Sequence, residues 1–238
     1  MLYTEQNVKD NLRNRAGKRV FYLGKEDRLT PGARDWLARE RVEILPASQA
    51  KPEIYHLLNG AQVLEKPEEM THLRGDVLVM KNHPRIKFRG AMDSLEAELL
   101  LCQLNHPDTA KPVGEILDLA RRVIRCEVLE EPLEPGKLCG LTEAEQRQRS
   151  HRPQDFFGIP HFMPDASDGA AVLALNRCRC AARAAELAAV EAFVDRDGKA
   201  ERPDILRTMN RMSSMLYVLM CMAKSGKLQG MIRWTNEP

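Results

Sequence analysis

The spacing of apolar and polar positions changes character near residue 90. Before that point apolar residues come in short runs. Those at 20–23 and 42–45 read as strands, and between them Thr30 followed by Pro31 opens a helix ending near Arg39. A Thr side chain can cap the free N–H groups of a first turn, and Pro has the right φ for its first position. Residues 46–70 are a weakly patterned connection, so 1–70 are predicted to be a small α/β appendage with a linker. From residue 91 the apolar period becomes that of a helix, over 91–105, 112–129, 142–150, 170–194 and 203–223. Asp93 with Glu96, Thr142 with Glu145, and Pro203-Asp204 mark starts, and Asp197-Gly198 marks a stop. Four long helices and one shorter helix joined by loops predict a mainly α fold, a five-helix antiparallel bundle over 71–238.

Composition narrows the function without naming one. A chain of 238 residues with 43% hydrophobic and 29% charged residues holds one sizeable domain, or a domain with an appendage. Its 36 Lys and Arg nearly balance 34 Asp and Glu, and aromatics are 5%, so a basic, base-stacking groove for nucleic acid is not expected. No apolar run approaches the ~20 residues that span a bilayer, and no leader-like segment opens the chain, which points to the cytoplasm and away from membranes. The six cysteines lie mostly in apolar helical stretches, as reduced core thiols would. Cys178 and Cys180 diverge by ~200° on a helix and would not share a metal.

Two polar stripes interrupt otherwise apolar helices. In "GAAVLALNRCRCAARAAELAAVEAFV", Arg179, Arg183 and Glu186 stand at i, i+4 and i+7, with Asn176 on the same side. Such a face is either solvated and internally paired, or an anion site in which guanidiniums fork onto phosphate oxygens and Ala neighbours leave room for a ligand. In "RPDILRTMNRMSSMLYVLMCMA", Ile205, Met209, Met212, Leu216 and Leu219 take one side, and Asn210, Ser213, Ser214 and Tyr217 gather on another. If the intervening loop is tight, the stripes face each other, and a bundle cavity lined in this way suits a ligand. Arg211 falls at the margin of its stripe, where a subunit contact is an alternative role. In "MKNHPRIKFRGAMDSLEAEL", Asp93 reads as a helix cap and Lys81 as either a surface lysine or a phosphate ligand. The loop "FFGIPHFMPDASDG" gathers Phe156, Phe157, His161 and Phe162, which either fill the core or cover a large flat ligand.

Three of these segments together, "RIKFRGAMDSL", "NRCRCAARAAE" and "RPDILRTMNRMSSMLYVLM", resemble the ATP:cob(I)alamin adenosyltransferases, and their wording is closest to the ethanolamine-utilisation branch. "LTPGARDWL" and "MPDASDG" resemble that branch as well. The resemblance implies a five-helix bundle, a homotrimer or homodimer, and active sites between subunits. It implies that Lys81, Arg179, Arg183, Glu186 and Asn210 bind ATP and that Asp93 pairs with Arg179 to hold the site in shape. The implied reaction moves the 5′-deoxyadenosyl group of ATP, with Mg²⁺, onto the cobalt of reduced cobalamin. Cob(II)alamin first loses its lower ligand so that it can be reduced to cob(I)alamin, which attacks the 5′ carbon. Arg183 and Phe162 are then the residues expected to act on the reaction itself, and ethanolamine ammonia-lyase is an expected partner, in the cytoplasm or with a bacterial microcompartment.

The chain departs from the family pattern in three places. The Gly-rich Thr-Arg-x-Gly-Asp-x-Gly segment that cradles triphosphate in the commonest branch is missing, and "LGKEDRLTPG" is the nearest stretch. Where some relatives have a His, eleven residues and then Cys-Cys-x-x-Cys, this chain has His56 and Glu68, so no structural iron or zinc is expected there. The Phe that displaces the lower cobalt ligand in relatives stands three residues before a Pro. Here His161 has that place and Phe162 follows, so Phe162 or a neighbouring aromatic is expected as the wedge, with His161 beside it against the corrinoid. Two other classes of function stay open at this point, a non-catalytic corrinoid or nucleotide carrier and a structural protein of the ethanolamine-utilisation system.

Overall fold

The computed structural model describes residues 1–15, 18–50 and 54–228, so part of the expected connection (51–53) and the end of the expected bundle domain (229–238) lie outside it. The fold is mainly α, and the chain forms two compact units.

The first unit takes in residues 1–55 and 62–65. Strand β1 (Leu2–Tyr3) runs parallel to β4 (Arg28–Leu29); β2 (Arg13–Arg15) is antiparallel to β3 (Lys18–Leu23), which is parallel to β5 (Glu43–Pro46). Helices α1 (Glu5–Asp10) and α2 (Pro31–Arg39) complete it with the two-residue strand β7 (Gln62–Val63). Parallel strands need a crossover, and α2 supplies it between β3 and β5. It starts where the sequence marks it, with the Thr30 hydroxyl accepting from Ala33 N–H at 3.3 Å and Pro31 in the first turn. Val8, Phe21, Ala33, Trp36, Leu37 and Val42 form a small core of its own.

The second unit holds β6 (Tyr55–Leu57, through His56 and Leu57), β8 (Met70–Arg74), β9 (Val77–Met80) and six helices: α3 (Pro84–Asn105), α4 (Ala110–Leu129), α5 (Glu143–His151), α6 (Pro153–Phe157), α7 (Ala170–Phe193) and α8 (Pro203–Lys224). β9 pairs parallel with β6 and antiparallel with β8. Helix α7 packs against both α3 and α8, α3 also packs against α4, and α5 packs on α8. Small residues on the buried face of α7, including Ala182, Ala185 and Ala189, let its neighbours approach closely. Between α7 and α8 the chain reverses through Gly198 at φ 80°, where Val194 bridges Ala200 and Glu201 N–H donates to Phe193 O at 2.8 Å.

Helix α3 begins seven residues before the start expected from its apolar period. Its cap is His83, whose Nδ1 accepts from Arg85 N–H at 3.2 Å, and Pro84 takes the first position. Asp93 is therefore in the third turn of a continuous helix, exposed, and caps nothing. Pro84 was the usable signal, because a Pro at a first turn forces the preceding residue out of the helical region.

The extra turns carry Arg85 and Arg89 to Glu127 of α4, whose side chain is 0% exposed. Arg89 Nε donates to one carboxylate oxygen at 2.7 Å and Arg85 Nε to the other, while Arg85 Nη2 donates to the Glu127 carbonyl at 2.9 Å. The β8–β9 ladder is irregular between His72 and Arg74, and Arg89 Nη2 donates to the carbonyl of the intervening Leu73 at 2.7 Å. Glu130, in the left-handed region at the end of α4 (φ 57°), is paired with Arg74 and Arg85. This network fastens the hairpin to α3 and α4, and it is the structural role of two residues that the sequence presents as part of a basic segment.

Candidate functional site

The middle turns of α7 and α8 border a well-defined hollow. Helix α8 is buried nearly all round: Ile205, Met209, Met212, Leu216 and Leu219 are in the core, and so are Thr208 and Ser213. Ser214 turns inward along its own helix, its hydroxyl donating to Asn210 O at 3.0 Å. On α7, Arg179 is tethered by two hydrogen bonds from its guanidinium to Asn176 Oδ1, at 3.0 and 3.2 Å.

A cavity of 410 Å³, within the ~300–1,000 Å³ usual for small-molecule sites, is lined by Arg179 and Arg183 of α7 and Ser213, Ser214 and Tyr217 of α8. Ser150 and His151 from the end of α5 and His161 from the loop after α6 close it. Arg183 is exposed and makes no hydrogen bond or ion pair among the described residues, so its five donors are available to a ligand. Two guanidiniums, three serine hydroxyls and a phenol around one hollow make a site for an anion with hydrogen-bonding groups.

The hydrogen bonds of His161 define its tautomer. Its Nε2 lies 3.1 Å from the His151 carbonyl, which can only accept, so Nε2 carries the proton. Nδ1 therefore accepts from the Tyr217 hydroxyl at 3.0 Å. Burial, with the Cys221 thiol adding to it, pushes the Tyr217 hydroxyl up to about 12, so it remains a donor at neutral pH. The two rings stack at 5.7 Å and 11°, and Phe162 lies against the same tyrosine at 6.0 Å and 30°.

Of the residues singled out from sequence, Arg179, Arg183, His161, Ser213, Ser214 and Tyr217 line the cavity. Glu186 is half-buried on α7, one turn beyond Arg183, and Asn210 is exposed on α8 with Oδ1 accepting from Arg211 at 2.7 Å. Arg211 itself faces a different hollow, with Glu143, Gln146 and Thr208. Phe162 is partly buried behind Tyr217. Lys81 is elsewhere, after β9, with Nζ 3.1 Å from Glu68. Asp93 is on the exposed face of α3, and within one chain no ion pair joins it to Arg179 among the described residues. Ser150 and His151 carry no sequence signal, because they enter the site only through the packing of α5 on α8. Tyr217 is visible in its stripe, but its partnership with a histidine 56 residues away is not.

Comparison with known proteins agrees with these segments. The family model for cobalamin adenosyltransferase matches residues 63–223. The chain is 31% identical over 227 residues to the corrinoid adenosyltransferase EutT of Salmonella typhimurium, and 29% identical over 227 residues to the protein of the same name from Escherichia coli. Each alignment covers 85% of this chain and 85% of the relative. No solved structure gives a significant match. A matched segment that contains both polar stripes, the loop between them and α3, together with relatives alike over most of their length, places the chain in the cobalamin adenosyltransferase family.

Proposed function

We propose that the protein transfers the 5′-deoxyadenosyl group of ATP to the cobalt of reduced cobalamin, making adenosylcobalamin. The observation that carries this reading is the cavity in which the unpaired Arg183 faces Ser213, Ser214 and Tyr217 in a chain of this family. In the reaction cob(I)alamin attacks the 5′ carbon, a cobalt–carbon bond forms, and the carbon–oxygen bond to the phosphate chain breaks. Such a nucleophile needs little proton transfer. The protein's tasks are alignment of cobalt with the ribose and stabilisation of charge on the leaving phosphates.

Arg183 and Arg179 are proposed to take the phosphates, and Glu186 and Asn210, on the same helices, the rest of the nucleotide. Mg²⁺ would arrive on the triphosphate. Among the described residues no group of three or more His, Cys, Asp or Glu side chains is arranged to hold a metal, and Mg²⁺ is commonly bound mainly through substrate phosphates. Phe162, with His161 at its side, is proposed to meet the lower face of the corrin and displace the lower ligand.

Helices α3, α4, α5, α7 and α8 are proposed to form the five-helix antiparallel bundle of this fold, with 1–70 as an appendage to a domain over 71–238. Lys81 and Asp93 are proposed to act across a subunit boundary, in a homotrimer or homodimer, on the ATP and the Arg179 of a neighbouring copy. Supporting this are exposed apolar side chains on both helices, with Leu104 of α3 76% exposed and Leu187 of α7 68% exposed. The product is proposed to serve ethanolamine ammonia-lyase, in the cytoplasm or with a microcompartment; among the described residues no helix is long and apolar enough to cross a membrane.

Anaerobic incubation with ATP, Mg²⁺ and chemically reduced cobalamin is expected to yield the photolabile spectrum of an alkyl-cobalt product. Absence of that product under strong reduction refutes the proposal, and binding of both ligands without turnover selects a carrier instead.

A further inference from the structure

The loop after α6 has no regular backbone structure from residue 158 to 165, yet it carries both His161 and Phe162. No ladder or helix sets the height of the Phe162 ring. It is set by side chains of α8. Tyr217 stacks on it, and seven residues further along, two turns and ~20° away on the same face, the ammonium of Lys224 sits 4.3 Å from the ring centroid. The same ammonium is paired with Asp168, whose side chain is 7% exposed. The other carboxylate oxygen of Asp168 accepts from Asp165 N–H at 2.9 Å, and Asp165 Oδ1 accepts from Ser167 N–H at 2.9 Å. One ammonium thus holds both the aromatic ring and the capped turn that ends the loop before α7. An ammonium over an aromatic face is attracted by the ring quadrupole, more strongly when partly desolvated, and Lys224 is 32% exposed. The polar stripe of α8 therefore continues beyond the nucleotide-facing serines to a clasp on the loop.

We infer that Lys224 is a positioning residue for corrinoid activation: through its contact with Phe162 and its ion pair with Asp168 it holds the ring at the height where the lower cobalt ligand is displaced. This rests on the assignment of Phe162 as the wedge. Lys224 is not among the residues that line the cavity between α7 and α8, so its loss should change ligand displacement and leave nucleotide binding alone.

The experiment uses the full chain with ATP and cob(II)alamin, reading by electron paramagnetic resonance the fraction of bound cob(II)alamin that has lost its lower ligand, alongside kcat and the KM for ATP with a chemical one-electron reductant added. Lys224→Met keeps the aliphatic stem and removes the charge. It is expected to lower that fraction and kcat about tenfold, with the KM for ATP within twofold, whereas Lys224→Arg restores both to within about threefold of the native protein. Asp168→Asn loosens the same clasp and is expected to give a smaller loss of the same kind, which serves if Lys224→Met lowers helix content by circular dichroism. A native-like spectrum and kcat in both Lys224→Met and Asp168→Asn overturn the inference, as does equal loss in Lys224→Met and Lys224→Arg. Phe162→Ala separates the two levels of argument. If it leaves the ligand-free fraction intact, the wedge assignment fails and the inference with it; if it abolishes that fraction while Lys224→Met does not change it, only the role of Lys224 fails.

Discussion

Replacing Glu127 by Gln removes one negative charge from a place that water cannot reach. The carboxylate is 0% exposed, with the two guanidiniums that flank it 17% and 19% exposed. In the native protein each oxygen accepts from a different arginine. An amide keeps one acceptor oxygen and turns N–H donors toward the second guanidinium, so a charge-assisted bond worth ~1.5–3 kcal/mol is lost and the two cations lose the buried anion they share. Breaking one partner out of a buried pair typically costs ~3–5 kcal/mol. The arginines keep their bonds to Glu130, to the Glu127 carbonyl and to Leu73 O, which places the expected cost near the lower end, about 3 kcal/mol on the scale of a broken buried pair. In a unit of this size that is a fall in melting temperature of ~6–12 °C, taking ~2–4 °C per kcal/mol. Glu130→Gln is the matched control. That carboxylate is 44% exposed, and its loss should cost under ~1 kcal/mol. The assay is urea unfolding followed by far-ultraviolet circular dichroism, which reports the helices; Trp36 fluorescence would report the first unit. A Glu127→Gln protein within 1 kcal/mol of the native one, or equal to Glu130→Gln, refutes the reasoning.

Two further outcomes follow from the site and its surroundings. Arg183→Ala should change stability by no more than ~0.5 kcal/mol, as for a surface residue, yet lower kcat/KM for ATP about 10- to 150-fold, the equivalent of one or two charge-assisted bonds; unchanged kinetics would favour a structural protein. Burial pushes the Asp204 carboxyl up, but the Arg202 guanidinium and the Leu133 and Ile205 N–H groups outweigh it and hold the group at about 2 against an ordinary 3.8. A depressed carboxylate stabilises the fold fully above 3.8, and that contribution is lost as the pH falls from there through about 2. Asp204→Asn should flatten the dependence of unfolding free energy on pH in that window, and an unaltered slope would remove Asp204 from the account.

The sequence by itself determined what is local and periodic. The strand–helix–strand piece over residues 20–45, its Thr30-Pro31 start, the four long helical stretches and the shorter one are set by 3.6- and 2-residue apolar periods and by capping chemistry within a few residues. The polar stripes on α7 and α8 were legible for the same reason, since residues at i, i+4 and i+7 share a face in any helix. The start of α3 was misread because a polar residue followed by Glu three later imitates a capping box, while the true cap, His83, is an uncommon one. Tertiary structure decided everything that needs partners far apart in the chain. Glu127 is an ordinary acidic residue in sequence and becomes the buried anion of Arg85 and Arg89 only when α3 packs on α4. Tyr217 becomes a donor to His161, and Lys224 a clasp on Phe162, only when an irregular loop crosses α8. A helix prescribes which residues share a face through fixed backbone geometry, whereas which face meets which loop depends on how several faces bury their apolar surface together.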